Sequence, residues 1–546
     1  MSADPPTKHS PNGAASPPKD LVTAWQPLHS ALFRSVWIAT VVSNVGSWMQ
    51  DVGSGWLMTS LSSSPALVAL VEAADSFPVM LLALPAGALA DIIDRRRLLI
   101  AVHCYLLVCA GILGVLTALG LTTIWALLGF TFALGVGNAL VMPAWAAIVP
   151  ELVPRAQLAS AVALNSIAIN VSRAIGPAIA GLIIAAMGVW PVFILNALSY
   201  IGILAVLIRW RRERRRSALP AERFISAIRV GLRFVTHTRS LQVVLIRGGA
   251  FFAFASASWA LFPLIVRREL GRGPEVYGLL LTCIGAGAVI GALLLPRVRA
   301  RVSRDVLVSA ASILYAVAMF VLAGIREIFV LALAMVMTGA AWISILSSLQ
   351  VSAQTALPSW VRARGLAAFV MVFMGGMAIG AVAWGQVATW IGIPDALSIA
   401  ALGVAASVLL ALKFKLGDRE APDLTPSMHW APPVLAEEPE PDSGPVMVSI
   451  EYLVDPAKRK EFVAAMQPLG EVRRRNGAVF WQIFHDTANP TRYFECFMDE
   501  SWLEHLRQHE RVSAADRAIQ NHAKSFLLPG TATRSSHWLA DRPDSE

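Results

Sequence analysis

Charged residues and cysteines are both scarce in this sequence. Only 15% of its 546 residues are charged, whereas soluble domains carry about a quarter charged residues, so an ordinary soluble enzyme is excluded. No lysine occurs between Asp20 and Leu412, where arginine supplies almost all of the net charge of +9. The four cysteines are scattered and fit neither a disulfide framework nor the spacing of zinc ligands. We therefore expect no metal site, no cofactor and no catalytic residues.

Long apolar runs make up most of the remaining sequence. Twelve of them reach the roughly 20 residues that a helix needs to cross the bilayer core. Arginines concentrate in every second loop, as cytoplasmic loops do, and this topology explains the basic charge better than nucleic-acid binding. We expect a multi-pass protein of the cell (inner) membrane with both termini cytoplasmic. Residues 1–30 lack the apolar core of a cleavable signal peptide and are typical of a disordered tail.

The composition divides the chain into six parts. The predicted parts are a disordered cytoplasmic N-terminus (1–30), an N-terminal six-helix bundle (31–208), a basic cytoplasmic linker (209–240), a C-terminal six-helix bundle (241–416), a Pro- and Glu-rich linker (417–445) and a soluble cytoplasmic domain (446–540). The soluble part alternates strand-like and helix-like segments in the order βαββαβ, which predicts a ferredoxin-like α+β domain. Within it, Ser501 is expected to cap a helix that continues to about Ala518.

The basic linker carries an amphipathic segment. Residues 224–234 have apolar side chains at helical spacing and arginines on another face. We expect this segment to lie along the inner leaflet, held by anionic lipid. A solvated linker is the alternative interpretation.

The two bundles repeat each other in sequence. The segment that begins Val149-Pro150 aligns with the one that begins Leu357-Pro358, and Gly176 and Gly181 align with Gly380 and Gly385. Because each repeat starts on the same side of the membrane, the halves are parallel and related by an axis along the membrane normal. That arrangement places a substrate path between them near the midplane. The fold class is thus an all-α membrane protein of twelve helices in two parallel repeats, with an α+β tail.

One polar loop between two apolar helices points to a family. The loop Gly87-Ala-Leu-Ala-Asp91-Ile-Ile-Asp94-Arg95-Arg96-Arg97 resembles the loop motif of the major facilitator superfamily. Four segments are more closely similar to its enterobactin-exporter-like branch, the transmembrane secretion effectors, and tail segments also match; they are 33–37, 43–50, 94–97 and 149–153, with 452–456, Trp481, 501–505 and 508–511 in the tail. The resemblance covers about residues 30–535.

The resemblance assigns roles to the loop. It implies that Asp91 accepts hydrogen bonds from the backbone amides at the start of the eleventh helix. It also implies that Arg95 and Arg96 help to hold an inner gate, and Gly87 belongs to the same inner-gate motif. A carboxylate favours a helix N-terminus, and such a bond can break when the halves rock. The sequence departs from the family pattern at Ile92 and Asp94. The alternative is that the arginines serve only as topological anchors.

A second motif lies in the fifth helix. Gly176-Pro177-Ala-Ile-Ala-Gly181 resembles the glycine–proline motif of the drug-extruding antiporters of the superfamily. Glycine permits close helix approach, and proline removes an internal hydrogen bond and allows a bend. The resemblance favours export over uptake. Ordinary helix packing is the alternative.

The same helix carries polar residues on one face. Ser166, Asn170 and Arg173 are spaced by four and three residues, so they share that face. An arginine within a membrane is costly and faces a cavity or a partner. We expect Arg173 to bind an anionic substrate or to pair with a helix carboxylate. Arg247, nearer the inner face, is expected to snorkel.

Three carboxylates lie within the first two helices. Asp51, Glu72 and Asp75 fall at similar depth in the outer half, and the last two share a helix face. Coupled carboxylates can exchange a proton with their surroundings, which predicts a proton-coupling or substrate site. The alternative is that they only line a wet outer vestibule. The arginine that proton-coupled antiporters carry in the fourth helix falls here at Thr131.

The tail offers two histidines and a family likeness. His505 and His509 are four residues apart on a predicted helix, a spacing that can bind metal, but no third ligand is evident. A solvated or dimer-facing pair is the expected arrangement. The domain resembles the antibiotic-biosynthesis monooxygenases, which dimerise through paired sheets, and fold likeness alone does not imply catalysis.

These features combine into one functional prediction. We expect an alternating-access exporter of siderophore-like or drug-like small molecules, driven by proton antiport, and not an enzyme. Three alternatives remain at this point: a catalytically active tail, a tail that regulates transport, and a membrane sensor without transport.

Overall fold

The computed structural model describes residues 25–210, 231, 233–358, 360–417, 423–427, 430, 435 and 439–540. Most of the predicted inner-leaflet helix at 224–234, most of the basic linker and about half of the Pro- and Glu-rich linker lie outside these residues. The described chain forms two groups of long helices followed by a smaller α/β region.

The first group precedes the basic linker, and the second group follows it. The first group consists of α1 (Ala31–Leu61), α2 (Pro65–Ile92), α3 (Arg95–Ala118), α4 (Ile124–Leu152), α5 (Leu158–Met187) and α6 (Trp190–Arg209). The second consists of α7 (Arg239–Leu264), which a π-helical turn extends (Ile265–Glu269), then α8 (Pro274–Arg301), α9 (Arg304–Gly324), α10 (Ile328–Thr355), α11 (Arg362–Ile391), α12 (Ile393–Ser407) and the short α13 (Leu410–Lys413).

Membrane-length helices dominate both groups. Among the described residues, eleven helices are long and apolar enough to cross a membrane, and they correspond to α2 through α12. Helix α1 has 31 residues but is not among them. Its sequence carries polar residues that lower its hydropathy, among them Asn44, Gln50 and Asp51. The chain is therefore a multi-pass helical membrane protein.

The two groups meet along two helix pairs, α5 with α8 and α2 with α11. Glycine makes both contacts close. A Cβ atom on Gly181 of α5 would lie 3.1 Å from Cα of Gly278 in α8, and one on Gly385 of α11 would lie 3.1 Å from Cα of Ala66 in α2. Gly181 and Gly385, which align in the sequence repeat, thus occupy matching contacts. Backbones that approach this closely are typical of small-residue interfaces between membrane helices.

The other aligned glycines pack within their own groups. Gly176 faces Trp48 of α1, where a Cβ would lie 2.6 Å from the tryptophan Cβ, and Gly380 faces Ala253 of α7, where a Cβ would lie 2.5 Å from the carbonyl oxygen. Pro177 is a buried residue inside α5. Gly176 and Pro177 of the glycine–proline motif are therefore closely packed, and a role of the motif in a helix bend or in export stays a prediction.

The C-terminal region, residues 439–540, is a four-stranded antiparallel sheet with helices between its strands. Its elements are β1 (Val446–Leu453), α14 (Arg459–Asn476), β2 (Phe480–His485), β3 (Arg492–Asp499), α15 (Trp502–Arg511), α16 (Ala514–Lys524) and β4 (Arg534–Leu539). The spatial order of the strands is β2-β3-β1-β4. Strands β2 and β3, which no helix separates in the sequence, pair directly.

The predicted single helix after Ser501 is wrong. Ser501 does cap a helix, because its side chain accepts from the backbone N–H of Glu504, but this helix ends at Arg511. Ser513 then starts a second helix through a capping box with Asp516. Such a reciprocal box satisfies two backbone donors and fixes a new helix start. The sequence S-x-x-D at 513–516 carried this signal.

The prediction that Arg247 snorkels is also wrong. Its side chain is 4% exposed and forms an ion pair with Asp305 of α9, and it donates to Ser309 Oγ over 3.3 Å. Asp305 also accepts the backbone N–H of Leu416. An arginine with a carboxylate partner inside the protein has no need to reach the membrane surface.

Candidate functional site

A cavity of about 200 Å³ lies between the first group and helices α7 and α8 of the second. All three predicted carboxylates line it: Asp51 from α1, and Glu72 and Asp75 from α2. Asp51 is exposed to the cavity, and the other two side chains are half-buried. The helix periodicity of α2 puts Glu72 and Asp75 on one face, and the packing of α1 beside α2 brings Asp51 to the same space. The structure therefore brings the three residues together.

Sequence analysis missed the second group's share of the cavity wall. Tyr277 of α8 and Trp259 of α7 also line the cavity. Their positions depend on how the two groups pack, which no local pattern in the sequence reveals. The cavity is thus formed jointly by both groups.

Neutral polar side chains line the wall contributed by α1 and α6. Asn196 donates hydrogen bonds of 3.4 Å to Gln50 Oε1 and to the hydroxyl of Tyr200. Gln50 in turn donates to Ser54 Oγ over 3.4 Å. These residues line the cavity with the carboxylates, so the wall offers both donors and acceptors to a ligand.

No arginine or lysine is found among the described residues that line the cavity. Thr131, which stands where proton-coupled antiporters carry an arginine, lines it instead, and its buried hydroxyl has no hydrogen-bond partner among the described atoms. The three carboxylates thus share one cavity, and no cationic side chain is found among its described lining residues.

Arg173 and Asn170 lie outside this cavity lining. The Arg173 guanidinium stacks 5.5 Å from the ring centroid of Trp48, and Trp48 itself lines the cavity. Asn170 donates to the carbonyl of Ser166 within its own helix. The expected pairing of Arg173 with a helix carboxylate is therefore not observed among the described residues, and an aromatic ring is its neighbour instead.

The arginines of the Gly87–Arg97 loop bind helix ends within the first group. Arg95 donates to Glu151 Oε1 over 3.0 Å and to the carbonyl of Ala147 in α4. Arg96 donates over 2.7 Å and 2.8 Å to the carbonyls of Leu207 and Ile208 at the end of α6, which are among the unsatisfied acceptors of a helix C-terminus.

Of the two acidic residues in this loop, only Asp94 has its side chain in the described part of the structure. Asp94 caps α3 by accepting from the N–H of Arg97 over 3.0 Å. The side chain of Asp91 lies outside the described part, so its expected bond to the eleventh helix stays a prediction.

His505 is buried, so the expectation of a solvated or dimer-facing pair is wrong for it. Its side chain is 1% exposed, and Nδ1 lies 3.0 Å from Oδ2 of the equally buried Asp499. The rings of His509 and His537 lie 5.0 and 4.9 Å from that of His505. Among the described residues no grouping of three metal-binding side chains has metal-binding geometry.

The C-terminal region contacts the segment that precedes α7. Arg233 donates to the carbonyl of Gly477, at the end of α14, over 2.6 Å. Its guanidinium also lies 3.5 Å from the carboxylate of Glu500, which follows β3. The sequence analysis considered this basic segment as a membrane-surface helix or a solvated linker and missed the protein partner.

Two aromatic residues complete this contact. Phe234 and Trp360, the latter between α10 and α11, pack edge to face with ring centroids 5.6 Å apart. Arg475 of α14 stacks over Phe234 and Arg511 of α15 over Trp360, at 5.7 and 4.8 Å. We call these four residues, with Arg233, the arginine–aromatic clamp. It joins the C-terminal region to the second group of helices.

Comparison with known proteins places the chain in context. Residues 22–544 match the family model described as Transmembrane secretion effector. The chain is 29% identical over 258 residues to the staphyloferrin A transporter of Staphylococcus aureus, a match that covers 46% of this chain and 64% of that protein. It is 22% identical over 268 residues to macrolide efflux protein A of Streptococcus pyogenes, which covers 48% of this chain and 65% of that protein. The chain thus spans somewhat less than two thirds of the length of these curated relatives.

Solved structures share the fold at low sequence identity. A D-xylose–proton symporter superposes with a TM-score of 0.58 at 14% identity, covering 71% of this chain and all of that one. At this low identity, the similarity supports only a shared arrangement of the helices.

Proposed function

Since the chain belongs to the transmembrane secretion effector family, we propose that it is a secondary active transporter that exports small molecules from the cell. In this proposal α1 is a twelfth membrane span beside the eleven apolar helices, and both termini are in the cytoplasm of a cell with the protein in its inner membrane. The carrying observation is the cavity between the two helix groups, lined by Asp51, Glu72 and Asp75.

Export would proceed by alternating access. The two groups touch through glycine contacts at α5–α8 and α2–α11, and smooth interfaces of small residues permit rigid rocking of one group against the other. The cavity would open to one side of the membrane at a time. The loop Gly87–Arg97, through Asp91, Arg95 and Arg96, would act at the inner side.

Protons are the proposed coupling ion. The three carboxylates share one cavity, and no cationic side chain is found among its described lining residues. Like charges that share a site repel each other, so binding of a proton or a cationic group is favoured there. If a proton and a substrate compete for the same carboxylates, binding of one releases the other, as antiport requires.

The proposed substrates are siderophore-like or drug-like amphiphiles. The cavity combines carboxylates and amides with the rings of Trp48, Trp259 and Tyr277, and pockets for such ligands are largely apolar with a few placed polar groups. The names of the relatives, a staphyloferrin A transporter and a macrolide efflux protein, support these classes. Arg173, near the cavity through Trp48, and Asn170, three residues earlier on the same helix face, are proposed to contact anionic parts of a substrate.

The test is transport in inverted vesicles with and without an imposed pH gradient. We expect a drug or siderophore panel to contain compounds that accumulate only with the gradient. Asp51→Asn, Glu72→Gln and Asp75→Asn should each reduce gradient-driven accumulation at least ten-fold. Glu275→Gln is the matched control, because Glu275 lies in the first turn of α8 but does not line the cavity. Full accumulation by all three cavity variants would refute proton coupling through these residues.

A regulatory role for the C-terminal region is the second proposal. The arginine–aromatic clamp holds this region against Phe234, just before α7, and Trp360, between α10 and α11, and both positions adjoin helices that must move during transport. We favour this role over catalysis by a monooxygenase-like tail. With Arg511→Ala we expect altered transport rate at unchanged expression, whereas an enzyme tail predicts unchanged transport and oxygen-dependent turnover of aromatic compounds by the full chain.

The same region is proposed to have a ferredoxin-like fold and to dimerise. The strand order β2-β3-β1-β4 with helices between β1 and β2 and between β3 and β4 agrees with that fold. The sheet face away from the helices exposes Phe480, Phe484 and Trp538 by 40%, 49% and 56%. A second copy would cover these rings by pairing sheets. Phe484→Glu should shift the full-length protein in nanodiscs from dimer to monomer, and a monomeric wild type would refute the proposal.

A further inference from the structure

Arg267 joins the two helix groups at the outer end of the cavity. It lies in the π-helical turn Ile265–Glu269 that ends α7, and it donates to Thr59 Oγ1 over 2.9 Å and to Ser60 Oγ over 2.5 Å at the end of α1. Turns of this kind are rare and are often found at functional sites. An ion pair of 2.9 Å between Glu269 and Arg326 fixes the end of the turn.

Trp56 connects this arginine to the cavity wall. The Arg267 guanidinium lies 5.4 Å from the Trp56 ring centroid. On α8, the ring of Tyr277 stacks on Trp56 with centroids 5.8 Å apart and an angle of 26°. The three side chains therefore form a continuous row from the outer surface inward, with two members from the second group and one from the first.

Tyr277 belongs to the row and to the cavity at once. It lines the same cavity as Asp51 and Glu72. Gly55 leaves room for it, because a Cβ there would lie 3.1 Å from the Tyr277 hydroxyl oxygen. Trp56 follows Asp51 by five residues on α1. A change in the charge of the carboxylates can therefore act on Tyr277 and, through its stacking, on Trp56.

We propose that Arg267, Trp56 and Tyr277 form the outer gate of the cavity, and that Tyr277 passes the state of Asp51, Glu72 and Asp75 on to this gate. The proposal rests on the transport function proposed above. Arg267 contacts two hydroxyl groups and an aromatic ring, and it is exposed on the outer side. Because none of these partners is a carboxylate, the contact can break without leaving an unpaired buried charge. A gate needs contacts that can break in one state and form again in another.

The coupling follows from the charge in the cavity. The hydroxyl of Tyr277 lies beside Gly55, one helical turn after Asp51 on the same face of α1. When the carboxylates bind protons or a cationic group, the negative charge near this hydroxyl is lost, and the stacking of the ring on Trp56 weakens in this proposal. Besides the three carboxylates, no charged side chain is found among the described residues that line the cavity, so these are the groups whose state the gate would report.

Access from outside tests the gate without any substrate. A reporter thiol is introduced as Ser47→Cys, a half-buried position that lines the cavity, in the full-length protein with its four cysteines replaced by serine. A membrane-impermeant maleimide is added to the outer face of right-side-out vesicles. We expect Arg267→Ala to raise the labelling rate at least ten-fold. The double variant Thr59→Ala/Ser60→Ala should act similarly with the arginine kept.

The neighbouring residue provides the control. Arg268 is exposed, and in the described part of the chain its guanidinium makes no hydrogen bond or ion pair, so Arg268→Ala should label like the parent. Equal labelling of parent, Arg267→Ala and the Thr59/Ser60 double variant would overturn the gate.

The role of Tyr277 is tested by a double-mutant cycle. Tyr277→Phe keeps the ring on Trp56 and removes the hydroxyl. We expect Glu72→Gln alone to change the outer labelling rate several-fold, and to have no effect in the Tyr277→Phe background. Additive effects would overturn the coupling through Tyr277. Because labelling needs no transported compound, a protein that exports nothing could still show this gate, and the vesicle accumulation assay reports that failure separately.

Discussion

Arg247 of α7 and Asp305 of α9 form an ion pair inside the second helix group, and Asp305 also accepts the backbone N–H of Leu416. One contact thereby ties the start of the second group to its end. The arginine is almost fully buried, while the aspartate keeps 25% of its side chain exposed.

The first prediction concerns this pair. Arg247→Ala should destabilise the protein by about 3 kcal/mol, the lower end of the cost of breaking a buried pair, because Asp305 retains some solvent. Thermal unfolding in detergent, followed by tryptophan fluorescence, measures the change. Arg326→Ala, which breaks the more exposed pair with Glu269, serves as the control and should cost less than about 1 kcal/mol. Equal losses in both variants would contradict the assignment.

A second buried pair lies in the C-terminal region. Arg473 Nε donates to Glu495 Oε1 over 2.8 Å, with 1% and 0% of the side chains exposed. Glu495 also accepts from the hydroxyl of Tyr452 and the indole of Trp481. The Arg473 guanidinium stacks on Phe497 at 4.6 Å. One carboxylate therefore accepts hydrogen bonds from three residues, one each on α14, β1 and β2.

The second prediction is that Glu495→Gln weakens this region selectively. The amide cannot accept from all three donors, and the unpaired Arg473 stays buried, which should cost about 3–5 kcal/mol. Hydrogen exchange of β1 and β3 in the full-length protein measures it. Glu451→Gln, at a half-exposed pair with Arg492, is the control. Unchanged protection in Glu495→Gln would mean that the pair does not hold the sheet.

The sequence was sufficient to predict the parts of the site that depend on local periodicity. Asp51, Glu72 and Asp75 could be placed together because α1 and α2 are antiparallel neighbours, and depth follows from residue count. The strands β1 to β4 could be predicted because alternation and turn residues mark them. The sequence S-x-x-D at 513–516 also carries the signal for the start of the second helix.

Contacts between distant elements could not be predicted. Tyr277 enters the cavity, and Arg247 finds Asp305, only through the packing of whole helices, which short sequence windows do not encode. The stacking of Arg511 on Trp360 joins residues about 150 positions apart. In each case the partner is selected by three-dimensional packing, while the local sequence gives only the type of side chain.

The third prediction concerns the glycine contact between α5 and α8. Gly181→Val should cost about 1–3 kcal/mol, because overpacking forces the helices apart, and a Cβ there already meets the backbone of Pro274 and Gly278. The transport rate should fall by more than the loss of folded protein explains, because this contact lies between the two moving groups. Gly129→Val is the matched control on α4, where no atom lies within 4 Å of an added Cβ. Similar behaviour of the two variants would argue against close α5–α8 packing.

The last prediction concerns pH and the histidine cluster of the C-terminal region. Burial, and then electrostatic repulsion from His505, lower the pKa of His537 below its usual value. The folded protein therefore binds fewer protons at His537 than the unfolded chain does. Its contribution to stability is complete above the unfolded pKa of about 6.5 and decreases as the pH falls below that value.

Because His537 lies on β4, which pairs with β1, we expect exchange protection of these two strands to fall between about pH 6.5 and the lower pKa of the folded state. His537→Asn should remove that fall, since asparagine does not titrate. His522→Asn, at an exposed position on α16, should leave it intact. Exchange rates of the full-length protein, corrected for intrinsic pH dependence, give the comparison, and a pH profile that is identical in all three proteins would rule out His537 as its source.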